Sequence, residues 1–111
     1  MQGDSVRDID VAKKLVSLEK SAADRHIEFD MSFYALKKVL NTKKCFFTGV
    51  KLMPASLVSP NSITLDRIDA SKGYTDVNVV ACAKEFNSKK TNLTVAEIIL
   101  LYKGLVKKNL I

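Results

Sequence analysis

The sequence predicts a small single-domain α+β protein, on three observations. Apolar residues recur at helical spacing near both ends of the chain, a central stretch alternates apolar with polar and β-branched residues, and turn signals separate these segments. The chain has 111 residues, of which 47% are hydrophobic, which is enough for one core. We therefore expect a helical N-terminal scaffold over 1–44, a mixed segment over 45–90 and a C-terminal helix over 94–110.

Two helices are predicted in the N-terminal scaffold. Apolar residues recur among charges from Ser5 to about Arg25 in the pattern of an amphipathic helix. A short extended link follows, after which Asp30 or Ser32 caps a second helix that runs to about Leu40.

The central segment combines strand and helix signals. Residues 45–52 hold β-type side chains around a glycine, and residues 62–68 alternate as a half-buried strand does. A turn signal at 71–74 precedes a brief return strand at 78–80. Residues 81–90 then predict a helix.

The last helix has the clearest start signal. Thr94 and Glu97 form a capping box ahead of a strongly apolar run. We expect this helix to lie in the core.

The charge of the chain favours a polyanionic partner. The formal net charge is +6 and the pI is near 9.4, although a basic surface also serves solubility. The excess is C-terminal, where residues 84–111 carry six basic and two acidic side chains. For these lysines, phosphate contact and a solvated helix face are both open readings.

The two cysteines do not make a disulfide framework. Cys45 and Cys82 are the only thiols, and no apolar run reaches the length of a membrane span. The first residues lack the pattern of a signal peptide, so we expect a cytoplasmic protein with no membrane partner. We expect the two cysteines to be buried neighbours with free thiols.

Oxygen-bearing side chains fall on three predicted elements in succession. Asp66, Asn78 and Asn87 lie on strand, strand and helix. A carboxylate and a carboxamide that converge can bind a hard cation such as Mg²⁺ and leave positions open for water and a phosphate. Taken alone, this pattern is common by chance.

Five short motifs follow one another through the central segment. They are Cys45-Phe46-Phe47-Thr48-Gly49, Leu65-Asp66-Arg67-Ile68-Asp69, Gly73-Tyr74, Asn78-Val79 and Asn87-Ser88-Lys89-Lys90. In this order they resemble the small HNH endonucleases common in bacteriophage genomes, and the likeness covers roughly residues 20–95. The resemblance implies a ββα-metal core over 45–90, in which a strand pair and a helix hold one divalent ion, Mg²⁺ or Mn²⁺.

The resemblance also implies roles for single residues. Asp66 and Asn87 take the places of metal ligands, and Asn78 takes the place of the residue that fixes the hairpin. Arg67 stands where the family has its general-base histidine. A guanidinium with a pKa above about 12 cannot accept a proton near neutral pH, so the usual base is absent.

Three explanations of Arg67 are open. It binds the scissile phosphate while Asp69 or a metal-bound hydroxide accepts the proton. Alternatively, the site is degenerate and only binds. In the third explanation the residue has no metal-related role, and its pair with Asp69 is a salt bridge that closes the turn.

Four lysines are candidates for contact with DNA phosphates. Lys89 and Lys90 come just past Asn87 and would lie beside the metal, and Lys84 and Lys72 belong to the same central segment. We expect duplex DNA as the substrate, and this expectation rests only on the resemblance to the HNH family.

Zinc is not expected. Many members of the family bind zinc through two Cys-x-x-Cys pairs, whereas this chain reads Cys45-x-x-Thr48 and Cys82-x-x-Glu85. Two thiolates rarely make a structural zinc site. His26, the only histidine, is expected at the surface or in packing, and Tyr74 is expected to cover the hairpin turn.

The expected function is a Mg²⁺- or Mn²⁺-dependent endonuclease that cuts DNA. The alternative is a protein that inherited the HNH fold but lost cleavage, and that binds DNA or a host protein. A pure protein-interaction module is a third class. The sequence leaves the oligomeric state open.

Overall fold

A computed structural model describes residues 5–111 and gives a mixed α+β fold, which confirms the predicted class. Over these residues the elements, in chain order, are α1 (Asp8–Asp24), β1 (Phe29–Asp30), α2 (Phe33–Leu40), β2 (Ile63–Arg67), β3 (Tyr74–Thr75), β4 (Val79–Ala83), α3 (Lys84–Lys90) and α4 (Val95–Lys107). The strands form one parallel and one antiparallel pair.

The first hydrophobic core lies between α1, α2 and one end of the antiparallel pair. Its buried members are Val11, Leu18, Ala22, Met31, Leu36, Tyr74 and Val79. The start of α2 is fixed by Ser32, whose Oγ accepts a hydrogen bond from the backbone N–H of Ala35 at 3.1 Å. The alternative cap, Asp30, lies in β1 instead.

The predicted extended link forms a strand that pairs with a distant segment. Phe29 of β1 lies beside Tyr74 of β3 in a parallel ladder. Gly73 permits this approach, since a Cβ at its position would lie 2.5 Å from the carbonyl oxygen of Glu28. The pairing ties the N-terminal scaffold to the turn between β2 and β4.

The antiparallel pair is longer than the sequence predicts. β4 runs to Ala83, so Ala81 and Cys82 are strand residues that pair with β2. The prediction that the helix begins at Ala81 is therefore wrong. Both residues are buried within the sheet, at 3% and 0% exposure, and α3 begins at the exposed Lys84, where the chain leaves β2.

A turn over residues 45–50 docks on β4. The backbone N–H of Cys45 donates to the carbonyl of Val50, and the N–H of Phe46 donates to the carbonyl of Ala81, both at 2.9 Å. Gly49 adopts φ +76°, a conformation that favours glycine.

This turn builds a second core around the two thiols. The buried members are Cys45, Leu52, Ala81, Cys82 and Ala83. The Sγ atoms of Cys45 and Cys82 lie 3.7 Å apart, and both cysteines are free. The prediction that they are buried neighbours is confirmed.

The C-terminal helix α4 differs from its prediction in one respect. The capping box is present: Thr94 Oγ1 accepts from the Glu97 N–H at 3.1 Å, and Glu97 Oε1 accepts from the Thr94 N–H at 2.9 Å. However, no residue of α4 is buried in the part of the chain that the structure describes, and Leu100 is 71% exposed. The prediction of a core helix that covers the domain is therefore wrong, because both cores close without it. Within residues 5–111, no helix has the length and apolar character needed to span a bilayer.

Candidate functional site

The hairpin of β2 and β4, followed by α3, brings Asp66 and Asn87 to one side of β2. Asn87 Nδ2 donates to Thr64 Oγ1 at 3.0 Å and to the carbonyl oxygen of Leu65 at 3.4 Å. Thr64 and Asp66 are two residues apart on a strand, so their side chains point to the same face. The geometry needed for a shared site is therefore present.

Asp66 already has a cationic partner in this arrangement. Lys90 Nζ lies 2.9 Å from Asp66 Oδ2, and the side chains are 1% and 14% exposed. Oδ2 is buried and accepts no hydrogen bond from the described chain, so charge attraction rather than an aligned hydrogen bond holds the pair. The Lys90 ammonium also lies 5.0 Å from the centre of the Phe47 ring.

A divalent cation does not fit this arrangement without displacing Lys90. The ammonium lies against the buried carboxylate oxygen of Asp66, and the Asn87 side chain directs its NH₂ group toward β2. Among residues 5–111, no group of three or more His, Cys, Asp or Glu side chains could hold a metal. The donor set therefore consists of one occupied carboxylate and one amide.

Arg67 is engaged by the backbone of the turn that follows β2. Its Nη1 donates to the carbonyl oxygens of Ala70 and Lys72, both at 2.8 Å. Its guanidinium carbon lies 5.3 Å from the centre of the buried Tyr74 ring. Arg67 thus closes the turn through carbonyl groups.

The same turn is held by two further residues of the predicted site. Asn78, 6% exposed, accepts from the Asp69 N–H at 3.0 Å and donates to the carbonyl oxygens of Asp69 and Gly73 at 3.1 and 2.8 Å. Asp69 Oδ1 accepts from the hydroxyl and the N–H of Ser71 at 2.6 and 2.9 Å. These two hydrogen bonds, with smaller effects of nearby cations, lower the pKa of Asp69. A lowered pKa makes this carboxylate a weaker proton acceptor.

Of the four lysines predicted to contact DNA, three are exposed and one, Lys90, is buried. Lys84 and Lys89 are exposed and line a shallow cleft of about 450 Å³ between α3 and residues 58–60. Lys72 is exposed in the turn after β2. The prediction that Lys90 contacts phosphate is wrong, because its side chain is buried on Asp66.

The ion pair of Lys90 and Asp66 is not among the predictions from the sequence, although the sequence contains one signal for it. Asn87 and Lys90 are three residues apart, so a helix that turns Asn87 toward β2 turns Lys90 the same way. Of the other two residues singled out, His26 is exposed in the link after α1, with φ +57°. Tyr74 is buried, and its hydroxyl accepts a hydrogen bond from Arg25.

The pKa values of the two thiols are shifted in opposite directions. Burial by itself raises the pKa of Cys45, but hydrogen bonds from Thr48 and from backbone groups outweigh it and lower the pKa to about 7. Burial raises the pKa of Cys82 to about 12, and the neighbouring Cys45 and the charge of Asp66 add to this effect.

These features define a mixed α+β domain with a hairpin–helix unit, a buried Asp–Lys pair and a basic cleft. The chain is 27% identical over 89 residues to a protein of Enterobacteria phage T4 described as an uncharacterized 29.0 kDa protein in the dda-modA intergenic region. The match covers 80% of this chain and about a third (35%) of the T4 protein. No protein-family model matches the chain, and no solved structure matches it.

Proposed function

We propose that this chain is an HNH-like ββα domain that binds duplex DNA and does not hydrolyse it. The observation that carries the proposal is the buried pair of Lys90 and Asp66, at 2.9 Å. The resemblance assigns Asp66 to a metal, but a buried ammonium already neutralises its carboxylate. A metal ion must displace Lys90, and an ammonium left buried without its partner costs several kcal/mol.

The remaining candidates for catalysis support the same proposal. No residue in the histidine place can accept a proton, because Arg67 stays charged and is bound to two carbonyl groups. Asp69 has a lowered pKa and holds Ser71. These side chains stabilise the turn, which is a sufficient reason for their presence without chemistry.

DNA binding is supported by the charge of the chain and by the cleft beside α3. Lys84, Lys89, Ser59 and Ser88 line that cleft together with one acidic residue, Glu85, whose exposed ion pair with Lys89 spans 3.5 Å. Ammonium and hydroxyl groups are the usual partners of phosphate oxygens. The net charge of +6 adds a long-range attraction to any polyanion. The similarity to a T4 protein supports a phage origin and hence a role inside the host cell.

The binding test uses salt dependence, which counts phosphate contacts. Affinity for a labelled duplex is measured by fluorescence anisotropy at several salt concentrations, for the wild type and for Lys84→Gln/Lys89→Gln. The slope of log K against log salt changes by about 0.9 for each lost contact, so we expect a reduction of nearly two. The matched control is Lys13→Gln/Lys20→Gln, which removes two exposed lysines from α1. Equal slopes for the two variants contradict the proposed cleft.

The second candidate function is a Mg²⁺- or Mn²⁺-dependent DNA endonuclease. Two observations favour it: Asp66 Oδ2 accepts no hydrogen bond, and Asn87 lies on the same face of β2. Plasmid nicking with either metal separates the two functions. Our proposal predicts no cleavage by the wild type. Cleavage that is lost in Asp66→Asn and in Asn87→Ala, with folding verified by circular dichroism, would establish the endonuclease.

A host protein is the remaining partner class. If neither cleavage nor salt-sensitive DNA binding is measured, the lysines of the cleft are ordinary surface and the proposal of DNA binding is refuted. Interaction with a host protein would then be the function to test.

A further inference from the structure

The α4 helix carries apolar side chains that the described part of the chain does not cover. Leu101 is 55% exposed and Leu105 is 40% exposed, and no residue of the helix is buried. Burial of this exposed apolar surface against a partner would therefore be favourable.

Three residues of this helix and its C-cap lie along one line. Glu97, Leu101, Gly104 and Lys108 follow one another at spacings of four, three and four residues, which is the repeat of a helix–helix seam. We call this line the α4 seam. It has an acid at one end, a cation at the other, and a leucine beside a glycine in the middle.

Gly104 is not packed against any other element within residues 5–111. A Cβ at this position would meet no heavy atom within 4 Å outside the helix. A glycine inside a helix costs about 1 kcal/mol relative to alanine. Close approach of a second backbone at this point would explain why a glycine is present despite this cost, since a glycine leaves room for that approach.

The charges of the seam select an antiparallel arrangement. When two copies of α4 are antiparallel with Leu101 of each facing Gly104 of the other, Glu97 of each faces Lys108 of the other. The arrangement is two-fold symmetric, so every contact occurs twice. Glu97 keeps its capping bond through Oε1, and a carboxylate has a second oxygen for the ion pair.

We propose that two copies of this chain associate through an antiparallel pair of α4 helices, with Leu101 of one copy seated on Gly104 of the other. The seam is short, so the dimer dissociates on dilution. The pairing uses residues of α4 and its C-cap that do not line the cleft beside α3, and the proposal does not rest on the function proposed above.

Sedimentation equilibrium over a range of protein concentrations tests the proposal. We expect a dimer whose dissociation constant rises at least tenfold in Leu101→Glu and in Gly104→Leu. The matched control is Ile99→Glu, which changes an apolar residue that is 47% exposed and lies on the opposite side of the helix, and it should leave the constant within about twofold. Gly104→Leu has room in its own chain and a higher helix propensity, so it separates loss of pairing from loss of folding.

Three outcomes overturn the proposal. The first is a wild type that stays monomeric at every concentration. The second is a control that weakens association as much as Leu101→Glu does. The third is a monomer that binds vesicles containing anionic phospholipid through α4, which would assign the same face to a membrane surface.

Discussion

Replacement of Lys90 by methionine is the change that best tests the buried pair. The substitution keeps an unbranched apolar stem of similar length and removes the ammonium. Asp66 Oδ2 then remains buried without its cationic partner, because this atom accepts no hydrogen bond from residues 5–111.

The expected cost follows from that burial. Loss of one partner of a buried ion pair destabilises a protein by about 3–5 kcal/mol, a large share of the roughly 5–15 kcal/mol that stabilises a small domain. At about 4 °C per kcal/mol, Tm should fall by about 12–20 °C. Asp66→Leu in the Lys90→Met background removes the stranded charge and should restore most of the loss.

Lys89→Met is the matched control in thermal and urea unfolding. Lys89 is the neighbouring residue, and its ion pair with Glu85 spans 3.5 Å between side chains that are 76% and 59% exposed. An exposed pair of this kind contributes about 0.5 kcal/mol or less. Equal costs for Lys89→Met and Lys90→Met would refute the buried pair, and with it the argument that Asp66 is closed to a metal.

Three further predictions concern other parts of the fold. Gly73→Ala should destabilise the protein by about 1–3 kcal/mol in urea unfolding, because the new Cβ would lie 2.5 Å from the Glu28 carbonyl oxygen; an unchanged midpoint would show that β1 and β3 do not approach this closely. Asn78→Ala should cost about 3 kcal/mol, since three hydrogen bonds are lost and the backbone groups of the turn lose their partners, and amide hydrogen exchange of the turn should quicken. Cys45 has a folded pKa of about 7 against 9.0 for an ordinary thiol, so its stabilising contribution is present above about pH 9 and is lost as pH falls through about 7. Under reducing conditions, the difference in unfolding free energy between the wild type and Cys45→Ser should therefore grow from pH 7 to pH 9, and a difference that shrinks over this range would contradict the thiolate.

The fold could be predicted from the sequence where the signals are local. The caps at Ser32 and Thr94 are examples, since each is a side chain that bonds to the N–H three residues on. The pairing of Phe29 with Tyr74 could not be predicted, because two-residue strands have no periodicity and their partners are far apart in sequence.

The burial of α4 was predicted wrongly for a related reason. An apolar pattern shows which face of a helix avoids water, but not whether the same chain supplies the covering surface. Leu101 and Leu105 are of a residue type that is usually buried, but both are exposed here because no core cluster of the described chain includes α4.

In the candidate site too, features set by neighbouring residues could be predicted from the sequence, and features set by tertiary packing could not. The convergence of Asp66 and Asn87 on one face of β2 follows from strand alternation and from the order of the elements. Lys90 is predicted to contact phosphate because it comes just past Asn87 and would lie beside the metal, and lysines are seldom buried. Its burial depends on the carboxylate of Asp66, which only the packing of α3 on the hairpin brings within reach.

The Tyr74 ring lies between two arginines from separate layers of the molecule, with guanidinium carbons 5.7 Å (Arg25) and 5.3 Å (Arg67) from its centre. Arg67 of the hairpin therefore contacts the same ring as Arg25 of the scaffold, and the ring links these two parts of the fold. Replacement of Arg67 by a shorter side chain would remove this contact and two hydrogen bonds to backbone carbonyl groups. The stability of the turn is therefore by itself a reason for an arginine at this position.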